Sequence, residues 1–203
     1  MNWKTQIDQS SAKICSVIPI KDFQNPKVYA WWLSQTYHFV CHSTSLLGYA
    51  LPFLKDEKLK AIYEHHLGEE SRHDLLALKD IAKLGMKLSP PAAMTEAFYQ
   101  SQYYRIQFEG GHALLGYILF LENLAVTWGK ELHESLKDTH PQSMLFLRVH
   151  AEEDVSHVAR ALDLIQTLST RQQDEIFANF HFSQALYSSL ISEGKFIKLG
   201  IAA

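Results

Sequence analysis

His150-Ala151-Glu152-Glu153-Asp154-Val155-Ser156-His157 is the stretch on which the reading of this chain turns. At 3.6 residues per turn, positions 150, 154 and 157 share one helix face. The same face continues into Leu147 on one side and Ala161, Leu164, Ile165 and Leu168 on the other. Two imidazoles and a carboxylate therefore interrupt a stripe that should face a core. Burying such groups without partners costs roughly 2–7 kcal/mol for each neutral one, and more for an ion. A metal would satisfy all three together; the plainer alternative is an exposed, charge-rich face with incidental histidines.

Two further stretches repeat the anomaly. Asp56–Leu84 reads as one helix closed by Gly85, and it holds Tyr63-Glu64-His65-His66-Leu67-Gly68-Glu69-Glu70-Ser71-Arg72-His73. His66 and His73 lie two turns apart on one face, with Glu70 about a turn from each. Glu69, Glu70 and Arg72 could equally form a solvated ionic surface. Glu122 stands inside the apolar run Gly116–Val126. Glutamate is almost never fully buried without a partner. An arginine (Arg105, Arg148 or Arg160) could supply one, and so could a pair of cations.

The rest of the chain predicts helices around these three. The 203 residues are 47% hydrophobic and 20% charged, which fits one domain over 1–203 with a sizeable core. Residues 3–17 predict a helix with Ile7, Ile14 and Val17 apolar, and Lys21–Pro26 a loop. Lys27–Leu54 predicts a long helix ending near Pro52. Its stripe Trp31, Gln35, His38, His42, Ser45, Tyr49 is either a polar pocket wall or simply not the buried face. Ala92–Phe108, His112–Lys137, Gln142–Leu168 (with Pro141 in its first turn) and Arg171–Ser192 complete an all-α bundle of about seven helices.

Composition narrows the function. A net charge of −3 leaves no basic footprint for nucleic acid. No apolar run reaches the 18–20 residues of a membrane span, and Met1–Gln6 has no apolar signal core. Two cysteines, Cys15 and Cys41, make no disulfide framework, so a cytoplasmic protein with reduced thiols is expected. The sequence leaves a homodimer open. Mixed imidazole and carboxylate donors on three helices suit two Fe or Mn ions in a bundle core better than structural zinc.

Glu70-Ser71-Arg72-His73 matches the Glu-x-x-His grammar of ferritin-like sites, but His150-x-x-x-Asp154-x-x-His157 does not. That second motif, the single Glu122 in the preceding buried helix, and His73 followed by an amphipathic run to Leu84-Gly85 together resemble the heme-oxygenase-like diiron oxidases and oxygenases, the group of CADD-like and UndA-like enzymes. Tyr37-His38-Phe39-Val40 is similar to their early aromatic helix, so the likeness covers most of the chain. It implies a heme-oxygenase-like fold and His73, Glu122, His150, Asp154 and His157 as iron ligands, with Glu122 bridging. For the remaining ligand, His66 occupies the place where CADD-like members have Glu, and Glu70 is the alternative. The resemblance further implies two Fe ions (or Mn), O2 as co-substrate, and a small organic substrate that is amino-acid-like or fatty-acid-like. An acid would need a cation, for which Arg105 and Arg148 are candidates. No catalytic residue beyond the ligands is implied. Asp74, Glu152, Glu153 and Tyr37 are candidates to orient the imidazoles, and Tyr103, Tyr104 and Trp31 or Trp32 to line the pocket.

The chain departs from the CADD-type enzymes that consume their own tyrosine. Leu121, not Tyr, precedes Glu122, and the nearest lysine is Lys130. The rival readings are a metal-independent thiaminase-like or PqqC-like relative of the same fold, a non-catalytic CADD-like interaction protein or iron-storage bundle, and heme binding through His38 or His42.

Overall fold

The computed structural model describes residues 3–17 and 19–198. Met1 and Asn2, and the side chains of Cys15, Val17 and Glu153, lie outside the described residues. The chain runs α1 (Trp3–Val17), a 3₁₀ turn (Ile20–Gln24), α2 (Pro26–Val40), α3 (Ser43–Ala50), a 3₁₀ turn (Leu51–Phe53), α4 (Glu57–Glu69) and α5 (Asp74–Lys83). It continues through α6 (Ala93–Glu109), a 3₁₀ turn (Gly111–Ala113), α7 (Leu114–Leu124), a π-helical turn (Ala125–Gly129), α8 (Lys130–Leu136), α9 (Leu145–Ile165) and α10 (Thr170–Lys198). Among the described residues there is no strand, and no helix is long and apolar enough to cross a membrane.

Local chemistry sets the helix starts. Asn25 caps α2 by accepting from the Lys27 amide at 3.0 Å, with Pro26 in the first turn. Asp56 caps α4 through the Leu59 amide at 2.9 Å. The start of α9 is capped from outside. Asp80, buried on α5, accepts from the Leu145 amide at 3.1 Å and the Phe146 amide at 2.8 Å. Two otherwise orphaned donors of α9 are satisfied this way. The helix therefore begins at Leu145 and not at Pro141 as the sequence suggested.

The long segments predicted as single helices are divided. Lys27–Leu54 breaks at Cys41-His42, between α2 and α3. Asp56–Leu84 breaks at Glu70–His73, where Arg72 adopts φ +73, a left-handed conformation uncommon for a side-chain-bearing residue. His112–Lys137 stays continuous but passes through the π turn that follows Glu122 by three residues. Such turns are rare and recur at functional sites.

The core is dominated by large side chains with almost no exposure: Tyr29, Leu33, Phe98, Phe120, Trp128, Phe180 and Tyr187. Each contributes roughly 1.5–3 kcal/mol by leaving water. α7 packs along α10, and Gly116 makes that approach feasible, because a Cβ there would collide with the Ile176 carbonyl. α9 packs on α7 and the π turn, and α5 on α2 and α9. α4 packs on α3, and the pairings of α5 and α7 with α9 set the helices that carry the polar anomalies near one interior space.

Candidate metal centre

The anomalous residues of the three stretches gather into two trios. In the first, His66, Glu122 and His157 place ligand atoms within 4.8 Å of one another. In the second, Glu70, His73 and His150 do the same. In the first trio, Glu122 Oε1 lies 3.2 Å from His157 Nδ1 and 3.5 Å from His66 Nε2. Glu70 Oε1 lies 3.9 Å from His73 Nδ1 in the second trio and 3.5 Å from His66 Nε2 in the first. One carboxylate oxygen of Glu70 thus faces both groups. Asp154 stands beside them, its Oδ1 3.5 Å from His157 Nδ1.

The elements explain the division. On an unbroken helix, positions 66, 70 and 73 would form one ladder. The break at Arg72 ends α4 at Glu69, makes Glu70 its cap and sets His73 just before α5. His66 consequently turns to Glu122 on α7, and Glu70 and His73 turn to His150. α9 serves both trios: His150 reaches the second and His157, two turns on, the first. The sequence left His66 and Glu70 as alternatives; the structure brings His66 into one trio and Glu70 into the other. The resemblance implied Glu122 as the bridging carboxylate. Glu122 stands with His66 and His157, and the carboxylate spanning the two groups is Glu70.

The donor set fits cations. Two ligands about 2.0–2.2 Å from one ion lie roughly 3–4 Å apart, the spacing seen here. Glu122 Oε1 and His157 Nδ1 are buried and close, yet neither makes a hydrogen bond of good geometry. Asp154 first, and then Glu122, push His157 up to about 10. Burial disfavours the His66 imidazolium, but Glu70 and Glu122 outweigh it and the net shift is upward. Burial pushes the Glu122 carboxyl above its ordinary range, against the pull of His157 and His66. At Glu70 burial acts in the same upward sense, but His66, with His150 and His73 beyond, holds the carboxyl below that range.

Two of the imidazoles have neighbours that the sequence did not suggest. His150 Nδ1–H donates to the Phe146 carbonyl at 2.9 Å, which leaves Nε2 for a ligand bond. Glu69 Oε2 lies 3.4 Å from His157 Nε2 and 3.7 Å from Arg160. Glu152 is exposed, and Tyr37 packs against His38. The Arg148 charge is felt at Asp80, and Arg105 pairs with Glu109 at 2.8 Å and covers the Phe182 ring.

His66, Glu70, Glu122, His150 and Asp154 also border a cavity of about 90 Å³ that runs into the core. Its remaining wall is almost wholly apolar and aromatic, including Trp32, Phe39, Leu46 and Phe146. No Lys or Arg lines it among the described residues. Of the aromatics suggested as pocket residues, Trp32 is there, whereas Tyr104 is exposed. The polar stripe of α2 points elsewhere. Gln35 accepts from the Ala92 amide and the Thr95 hydroxyl, His38 bonds the Ser89 carbonyl, and His42 stacks on Tyr99. That stripe holds the connector to α6, and the next face of α2 (Trp32, Thr36, Phe39) forms the cavity wall. The sequence reading did not name Thr36, Tyr117 and Trp128, although Trp128 follows Leu114, Tyr117, Leu121 and Leu124 at helical spacing along the cavity wall.

The sequence profile of a family described as iron-containing redox enzymes matches residues 30–187, a span that includes all seven candidate ligands. The chain belongs to the iron-containing redox enzyme family. No curated protein matches the sequence. Among solved structures, a domain of unknown function with a heme oxygenase-like fold from Shewanella denitrificans superposes with a TM-score of 0.86 at 22% identity, covering 98% of this chain and 93% of that one. A TenA homologue from Pyrococcus furiosus gives 0.76 at 12% identity, covering 94% and 98%. A TenA homologue from Pseudomonas syringae gives 0.76 at 13%, covering 95% and 92%. At these identities the likeness establishes the heme-oxygenase-like fold.

Proposed function

We propose that the protein is a non-heme diiron oxidase or oxygenase, with His66, Glu122 and His157 holding one ion, and His73 and His150 the other. Glu70 serves both, and Asp154 completes the set. The observation that carries this reading is the pair of trios beside one cavity, which His66, Glu70, Glu122 and His150 border, with a single oxygen of Glu70 facing both groups. When bound, two Fe(II) ions supply the electrons that reduce O2; Mn(II) is the alternative metal. The chain's own residues do the rest. Four imidazoles and three carboxylates leave a nearly neutral cluster with two divalent ions. The Phe146 carbonyl fixes the His150 tautomer. The apolar wall excludes water from a small organic substrate held beside the ligands.

A metal-independent role within the same fold is the second reading, supported by the likeness to the two TenA homologues. Anaerobic loading with Fe(II), metal analysis and rapid mixing with O2 separate the two. Two irons per chain and a transient visible absorption are expected. No iron uptake, or uptake unchanged in an Asp154→Ala His157→Ala variant, contradicts the diiron reading and favours the metal-independent one.

A further inference from the structure

Three buried polar groups on the cavity wall lack hydrogen-bond partners: the Thr36 hydroxyl, the Tyr117 hydroxyl and the Trp128 indole N–H. Their residues are 2, 3 and 1% exposed. Buried polar groups in folded proteins are nearly always paired, so three exceptions on one cavity call for an explanation. Comparable groups nearby are satisfied. Tyr29 donates to the Ser143 carbonyl at 2.7 Å, Tyr63 to the Gly111 carbonyl at 3.1 Å, and the Trp32 indole to Tyr187 at 2.9 Å. The exceptions come from three different elements, α2, α7 and the π turn, and they meet at the same interior space as the ligand trios.

The chemistry of the donors limits the ligand. An indole N–H donates and cannot accept, so whatever pairs with Trp128 brings an acceptor. Threonine and tyrosine hydroxyls can donate as well. With two divalent ions against three carboxylates an anion would be drawn to the ions themselves, while no Lys or Arg on the wall would hold one beside Trp128, Tyr117 and Thr36. An ammonium group could not satisfy Trp128. The remaining wall calls for an apolar body.

We propose that the cavity takes an uncharged, largely apolar molecule bearing one or more hydrogen-bond-accepting oxygens, received by Trp128, Tyr117 and Thr36. The proposal rests on the reading of this cavity as the substrate chamber of the diiron site, and it specifies an uncharged acceptor oxygen as the group that Trp128, Tyr117 and Thr36 receive.

The test uses a matched set of probes on the full chain, with and without anaerobic Fe(II): cyclohexanone, its hydrocarbon isostere methylenecyclohexane, and cyclohexanecarboxylate. Calorimetry or thermal shift reads their affinities. Cyclohexanone is expected to bind about tenfold more tightly than methylenecyclohexane, in keeping with one net hydrogen bond, and the carboxylate to bind weakest without iron. Trp128→Phe and Tyr117→Phe should each shrink that preference while leaving the hydrocarbon's affinity and iron loading within twofold. Thr36→Val supplies the same test if Trp128→Phe does not fold. Equal affinities for ketone and hydrocarbon, tightest binding of the carboxylate without iron, or a preference unchanged in the variants would overturn the proposal. Ketone preference without any iron uptake would defeat the diiron reading alone; iron uptake without ketone preference would defeat this inference alone.

Discussion

The two trios are made of the same residue types but stand on different ground. His66, Glu122 and His157 sit within the unbroken helices α4, α7 and α9. Glu122 and His157 are buried, with His66 at the margin of burial. Glu70 and His73, by contrast, flank the break between α4 and α5, next to a residue held in a left-handed conformation, and their trio is only partly buried. One group is preformed by helix packing; the other depends on a four-residue turn. The difference teaches that a shared constellation need not have uniform stiffness. The first trio should bind its ion at little reorganisation cost, and the second should pay for ordering its turn.

Glu70 is the residue whose removal should most affect this contrast, because it faces both groups. Glu70→Ala is expected to drop iron from two ions per chain to fewer than one, read by metal analysis after anaerobic loading. His73→Ala should be milder, leaving about one ion with the affinity of the tighter wild-type site. If His73→Ala abolished all binding, the trios would be a single cooperative unit and the comparison would fail.

Asp80 offers a subtler probe. Asp80→Ala removes the external cap of α9, and loss of such a cap costs about 0.5–2 kcal/mol of stability in denaturant titrations. Because His150 is nearer the capped end than His157, the weaker ion should be loosened more than the tighter one.

Proton occupancy gives the next test. His157 is raised from an ordinary value near 6.5 to about 10 in the folded, metal-free chain. A raised folded value means that the contribution is complete below about pH 6.5 and lost as pH climbs through 10. Metal-free wild type should therefore lose stability across that window relative to His157→Gln, and denaturant midpoints at pH 6, 8 and 10 would show it. Glu69→Gln should have the smallest effect. Its ion pair with Arg160 is partly exposed, so a change within about 1 kcal/mol is expected.

Much of this arrangement was legible in the residues. Polar groups at helical spacing in apolar stripes, at 150–157, at 66–73 and at Glu122, pointed to helices whose candidate ligands the fold brings together. The stripe Leu147, Ala161, Leu164, Ile165 and Leu168 is indeed buried. What periodicity could not convey was where a helix stops being straight. Arg72 carries no turn signal in its side chain, so the 66–73 ladder read as one face and His66 and Glu70 as rivals. The π turn at Ala125–Gly129 is invisible to a 3.6-residue template, and Trp128, in line with Leu114, Tyr117, Leu121 and Leu124, read as ordinary core because the run is apolar on every side. Asp80 looked like an ordinary charge, because its partners are amides sixty-five residues away that tertiary packing alone brings close. The polar stripe of α2 was ambiguous for a related reason: only the path of the connector to α6 shows what Gln35 and His38 hold.

Anomalous-difference crystallography on anaerobically Fe(II)-loaded protein tests the central claim most directly. Two iron peaks are expected, one among His66, Glu122 and His157 and one among Glu70, His73 and His150, with the second weaker at limiting metal. No peak at either trio, or iron bound only at some other place in the molecule, would contradict it.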